Sequence, residues 1–300
     1  MDPPRPITST KTQPLEAESL ERTRTEALVH LLGDDDAKIR STVWDHLEQI
    51  GAAVVPVVSR AVVESADPLV RAQAEKFLLE WRRREVFHEW VVFCKATDVD
   101  LEAGALLIAR TEYPEIDTGS VGDTLDEYAG VLRRRVATAR STDSAVKALV
   151  DLLHGELGFR GNVEDYYDAD NSYLNRVIER RIGIPITLSA VHLLVARRLS
   201  IPLEPVGLSF HFLLKFETSA GRGRSERFVD PFHGGDLLSS RECAKFLRAN
   251  GVSFREMQLK SISDRAMLSR MLGNLLQIYH RKADQRRLNR ITAMLKLLED

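Results

Sequence analysis

Apolar residues recur at helical spacing through most of this chain. Between Asp98 and Leu157, Leu101, Ala105, Leu106 and Ala109 make one stripe, Leu125, Tyr128, Leu132 and Val136 a second, and Val146, Leu149 and Leu153 a third. Gly158–Asn162 then interrupts the pattern. A long apolar run, Ala190–Leu199, follows Gly183-Ile184-Pro185 and predicts a helix that begins at Pro185, because proline is suited to a first helical turn. Val206–Leu208, Phe210–Phe216 and Arg227–Val229 read as short strands, with Ala220–Gly223 as the turn between the last two. Helical spacing resumes over Arg241–Arg248, Arg265–His280 and Leu288–Leu298, the last two as a hairpin of the tetratricopeptide kind.

Upstream the pattern repeats. Asp36, Ile39, Arg40, Val43 and Leu47 superpose on Asp67, Val70, Arg71, Ala74 and Leu78 at one offset (67 − 36 = 31). An Asp-x-x-apolar-Arg start before helical spacing is what stacked helix pairs show, with the Asp capping a helix and the Arg tying neighbouring repeats. Two HEAT-like units are expected here, with a period shorter than the usual ~40–47 residues.

Composition narrows the class. The chain has 300 residues, 44% of them hydrophobic, and a formal net charge of −2, so a sizeable core is available and long-range attraction to nucleic acid or an anionic membrane is not. Cys94 and Cys243 lie far apart without metal-type spacing, which suits a reducing cytoplasm. Met1–Pro14 is rich in Pro, Thr and Ser, lacks an apolar signal-peptide core, and reads as a disordered tail. No apolar run reaches membrane-spanning length. Arg82-Arg83-Arg84 and Arg133-Arg134-Arg135 stand beside Glu80, Glu85 and Glu127 without interleaved aromatics, so they read as solvated helix faces and not a nucleic-acid site.

The chemistry concentrates between Asn171 and Asp230. A helix start at Pro185, then His211 on a strand, then Asp230 on the next strand is the order of a papain-type thiol hydrolase. A helix N-terminus would activate a cysteine placed there, but proline stands in its place. Thr187 and Ser189 are the substitute hydroxyls, each open to the plainer reading of a bond back to its own helical turn. His211 with Asp230 is either a base held by a carboxylate or a strand-to-strand hydrogen-bonded tie. Adding His233 gives a metal-type set, though Asp-x-x-His alone is weak, and no metal or other cofactor is expected. Tyr166, Tyr167, Asn171 and Arg180 either line a binding pocket or close the core, with Asn171 as a helix cap. His192, mid-helix among apolar residues, reads as a core histidine.

These residues resemble the SirB-one family of transglutaminase-like proteins. The resemblance rests on Leu157–Asn162, Asp165-Tyr166-Tyr167-Asp168, Asn171-Ser172-Tyr173-Leu174, Arg180–Ser189, His211-Phe212-Leu213 and Asp230–Gly235, and extends over about Phe87 to Lys296. It implies that the start of the Pro185 helix falls on the nucleophile position of active relatives, His211 on their His and Asp230 on their Asp. Members with proline there would not be thiol enzymes. Ser209-Phe210 stands where the family usually has Pro-Gly.

The expected fold is α-rich α+β. A disordered tail (1–18) and HEAT-like repeats (19–85) precede a helical subdomain (86–157). A degenerate transglutaminase-like core with a small antiparallel sheet (158–260) and a tetratricopeptide-like hairpin (261–300) complete it. The expected function is a cytoplasmic, non-catalytic interaction or regulatory protein, a pseudo-enzyme with a protein partner. The alternative is a hydrolase or acyl-transferase in which His211 and Asp230 act with water or a hydroxyl. An open cleft from Thr187 or Ser189 to His211 would favour the enzyme, and an apolar plug over His211 the binder.

Overall fold

The computed structural model describes residues 13–218 and 225–299, which fall into two compact units that divide after Glu85. Residues 1–12 of the expected tail and the turn expected at Ala220–Gly223 lie outside the described residues.

The first unit contains α1 (Gln13–His30), α2 (Ala37–Ile50), α3 (Val55–Glu64) and the first part of α4 (Pro68–Cys94). Helix α1 thus covers positions 13–18, which the sequence places in the tail. The 31-residue offset recurs in atomic detail. Asp36 accepts from Lys38 N at 2.8 Å to cap α2, and Asp67 accepts from Leu69 N at 2.8 Å at the start of α4. Arg40 Nη1 donates to the carbonyls of Asp34 and Asp35 at 2.5 and 3.0 Å, and Arg71 Nη1 to those of Ser65 and Ala66 at 2.6 and 3.1 Å. Each arginine closes the turn before its own helix instead of tying one repeat to the next. The apolar members of the repeat, Val43 and Leu47, Ala74 and Leu78, are buried in one cluster with Val29, Val58 and Phe77.

The second unit, Val86–Asp300, continues α4 and adds α5 (Leu101–Arg110), α6 (Thr118–Ala137) and α7 (Thr142–Val150). Asp100, Asp117 and Ser141 cap these three helices by accepting backbone N–H bonds, the local reason each helix starts where it does. A wide helical turn over Asp151–Glu156 leads to β1 (Arg160–Gly161), α8 (Leu174–Arg180), β2 (Ile182–Gly183) and α9 (Pro185–Arg198). Next come β3 (Glu204–Val206), β4 (Leu213–Thr218), β5 (Ser225–Asp230), β6 (Asp236–Ser239), α10 (Ser240–Ala249), α11 (Asp264–Arg281) and α12 (Gln285–Glu299).

Strands β1 and β2 pair in parallel, and β3-β4-β5-β6 form an antiparallel sheet in that order, with Leu214 opposite Val229 and Phe228 opposite Leu238. Several of these strands differ from the pattern's reading, β4 among them, which begins at Leu213 instead of Phe210. Strand β3 ends at Val206, where a strand was expected to begin, and β6 carries too few apolar residues to have been marked. The sheet is apolar on both faces. Leu214, Phe216 and Val229 face the main core, while Leu213 and Phe228 join Val206, Leu208, Cys243, Leu247 and Leu259 in a second cluster beneath α10.

Helix α9 is the axis of this unit. Every residue from Pro185 to Ala196 is buried, and the helix meets α5, α6, α7, α8, α11 and the sheet. A helix apolar all round has to be enclosed on every side. The three stretches read from the sequence as 86–157, 158–260 and 261–300 share one core, which runs from Val86 to Leu298.

Candidate functional site

The first half of the site is the N-terminal turn of α9. Pro185 occupies the first helical turn, where its missing N–H costs nothing. Thr187 is fully buried. Its Oγ1 accepts from Ile184 N at 3.2 Å and donates to the Asn171 carbonyl at 2.7 Å, so its one hydrogen is committed to the fold. Ser189 is also fully buried, and its Oγ has no hydrogen-bond partner among the described residues. Neither hydroxyl reaches solvent.

Further along α9, His192 is completely buried. Its Nδ1 donates to the Leu188 carbonyl at 2.8 Å, and Nδ1 of His154 donates to the Phe159 carbonyl at 2.7 Å. That leaves the two Nε2 atoms facing each other at 3.1 Å. Three contacts thus need a hydrogen, and two neutral rings supply two. Burial opposes the third: it lowers the pKa of His154 and, with the neighbouring His154, takes that of His192 down to about 3. Nothing in the sequence pairs these two positions, 38 residues apart, although His154 also sits in an apolar stripe.

The second half is the turn after β5. His211 does not lie on a strand as expected. It follows the exposed Phe210, whose φ of +66° belongs to the left-handed region, and precedes β4 by two residues. Asp230 ends β5 and opens a 3₁₀ turn, Pro231–His233. Its Oδ1 accepts from the backbone N–H groups of Phe232 and His233 at 3.1 and 3.2 Å. Its Oδ2 accepts from His211 Nε2 at 2.7 Å and from His233 Nδ1 at 2.8 Å. Burial pushes this carboxyl's pKa up, but the hydrogen bonds and charges of His211 and His233 outweigh it, and the net value is below the ordinary one.

Aromatic rings enclose His211. Phe246 lies 5.3 Å away between ring centroids, His233 5.5 Å and Phe232 6.3 Å, and Phe232 also contacts Tyr166 at 6.0 Å. Gly161 makes room for this packing, since a Cβ there would come within 2.6 Å of both the ring and the carbonyl of Phe232. Arg270, remote in sequence, donates to the carbonyls of Leu208 and His211 at 2.8 and 3.1 Å and so holds the loop that presents the imidazole. A lone arginine within the apolar stripe Met267-Leu268-Met271 was the only sequence signal of that role.

The expected binding residues separate. Tyr166 and Tyr167 are exposed and edge-packed at 5.3 Å, and Arg281 lies over the Tyr167 ring at 3.8 Å. Asn171 is fully buried. It donates from Nδ2 to the carbonyls of Asp165 and Tyr166 at 2.7 and 3.3 Å and accepts at Oδ1 from Asn162 at 3.1 Å. It therefore staples the tyrosine loop instead of capping α8, whose cap position is Tyr173. Arg180 pairs with Asp168 at 2.8 Å, half-buried.

A buried helix start, a histidine and an aspartate beside an antiparallel sheet define the layout of a transglutaminase-like domain. Residues 119–273 match the family profile described as transglutaminase-like superfamily, and the chain belongs to that superfamily. The chain is 37% identical over 185 residues to a UPF0162 protein of Xylella fastidiosa, covering 60% of this chain and 64% of that protein. A UPF0162 protein of Vibrio cholerae is 24% identical over 180 residues, covering 59% of this chain and 65% of that one. The chain thus spans slightly less than two thirds of these relatives. F-box only protein 21 of Mus musculus is 37% identical over 135 residues, which are 44% of this chain and 21% of that longer protein. No solved structure matches the chain.

Proposed function

We propose that this chain is a non-catalytic interaction or regulatory protein of the SirB-one type, in which HEAT-like repeats precede a transglutaminase-like domain without its nucleophile. The observation that carries this reading is the sealed start of α9. Pro185 offers no nucleophilic atom, and Thr187 and Ser189 are fully buried. The aromatic rings around His211 supply the apolar plug that favours a binder. The two thiols do not substitute. Burial raises the pKa of Cys94 against the opposing charge of Arg265, and that of Cys243 to about 12. In F-box only protein 21 the matched stretch is a minor part of a longer protein, which suits a domain used as a module.

The exposed Tyr166–Tyr167 pair is the surface proposed for a protein partner in a cytoplasmic setting, and no helix among the described residues is long and apolar enough to cross a membrane. The rival reading, a hydrolase or acyl-transferase, draws on the 2.7 Å His211–Asp230 contact, which has the geometry of an oriented base. Peptidase, deamidase and transglutaminase assays on the purified chain, with and without iodoacetamide, separate the two. The proposal expects no turnover in either. Turnover that His211→Ala abolishes while the circular dichroism spectrum is unchanged would establish the enzyme instead.

A further inference from the structure

His211 Nε2, Asp230 Oδ2 and His233 Nδ1 converge so that all three atoms lie within 4.8 Å of one another. A structural tie between the loop before β4 and the end of β5 accounts for His211 and Asp230, both of which are buried. It does not account for His233, whose side chain is 55% exposed and whose bond to the carboxylate adds little to stability at such exposure. The fold nevertheless directs His233 to the same oxygen. Asp230 and His233 stand at either end of the Pro231–His233 3₁₀ turn, where residues three apart eclipse one another. The two backbone N–H groups on Oδ1 fix the carboxylate and leave Oδ2 as the atom facing both imidazoles. Orienting bonds of this kind behind a ligand atom are characteristic of metal sites.

We propose that His211, Asp230 and His233 form a binding site for a divalent transition-metal ion of the zinc, cobalt or nickel kind. Two imidazole nitrogens and one carboxylate oxygen suit these ions, whereas magnesium and calcium favour sets made of oxygen. Both rings bind in their neutral form, each moving its hydrogen to the other ring nitrogen, so the site exchanges two N–H···O bonds for metal–ligand bonds. The exposed face of His233 leaves a coordination position open to water or to a partner's side chain. The inference rests on reading the pair as a fixed structural device, and it makes the ion a candidate regulator of that surface.

The test is a titration of the tag-free full chain with Co²⁺, followed by visible absorption and by calorimetry. The expected result is one ion per chain, with ligand-field bands of a low-coordinate site and an affinity tighter than millimolar. His233→Ala, at an exposed position, is expected to keep the unfolding midpoint of the metal-free protein and weaken binding by at least about tenfold. Asp230→Asn, which keeps the shape but loses the charge, should weaken it as well. Binding that His233→Ala leaves unchanged, or only millimolar binding at several sites, overturns the proposal. A Co²⁺-loaded chain that hydrolyses an ester or amide would overturn the non-catalytic reading and leave the metal site standing. Absence of binding would do the reverse.

Discussion

The two halves of the site differ in how their polar atoms are used. At the start of α9, polar atoms are buried: Thr187 bonds to Ile184 and Asn171, and Ser189 is enclosed without a partner among the described residues. In the turn after β5, polar atoms are concentrated, with four N–H groups on one carboxylate and an imidazole at the surface. The two halves of the candidate site in this transglutaminase-like domain therefore use their polar atoms in opposite ways. The reason is structural. The first half sits on a helix that must be enclosed on every side, while the second lies at the end of a sheet and holds two elements together.

This contrast can be broken most directly at Asp230. Asp230→Ala removes the acceptor for His211, His233 and two backbone N–H groups, and should cost about 3–5 kcal/mol in urea denaturation, as loss of one partner from a buried charged network does. An unchanged midpoint would mean that the polar half holds nothing.

A second test uses His192, the buried histidine of α9. In the unfolded chain His192 takes up a proton below about pH 6.5, whereas in the fold it does so only near pH 3. The unfolded state then binds more protons throughout that window, so stability falls as pH falls, by up to about 1.4 kcal/mol per pH unit and about 2 kcal/mol by pH 5. Denaturation midpoints of His192→Phe should show a flatter dependence over the same range. Stability that rises on acidification would show that a proton shared between the two Nε2 atoms outweighs the cost of burial.

Thr187→Val tests whether the hydroxyl at the helix start is structural. It leaves the buried Ile184 N–H without its acceptor and should cost about 1–2 kcal/mol with no effect on any binding activity. The smallest expected effect is at Phe210, whose left-handed backbone is costly for a side chain. Because the ring is largely exposed, Phe210→Gly should stabilise the chain by about 1 kcal/mol, measurable as a raised thermal midpoint. A lowered midpoint would assign the ring a packing role after all.

The backbone of Phe210 shows how far the sequence could be read. Ser209-Phe210 was visible in the letters, but the positive φ of Phe210 was not. The 31-residue repeat was equally visible, with its capping aspartates. The arginines, read as ties between repeats, donate instead to carbonyls of their own turns. Asn171 was legible as a polar anchor, yet its partners Asn162, Asp165 and Tyr166 emerge only once the loop folds back on itself.

The sequence by itself determined most of the helices, the capping aspartates of the repeat, the apolar α9 with Pro185 at its start, and the order of histidine and aspartate. Those features depend on local periodicity, on proline's missing N–H and on side-chain chemistry, all of which act over a few residues. Only the tertiary structure decided that His233 joins His211 on Asp230 and that His154 faces His192. It also decided that Phe232 and Phe246 close over the imidazole and that Arg270 holds its loop. These are contacts between elements far apart in the chain. They are set by how a fully apolar helix is wrapped by its neighbours, a three-dimensional arrangement that no local pattern encodes.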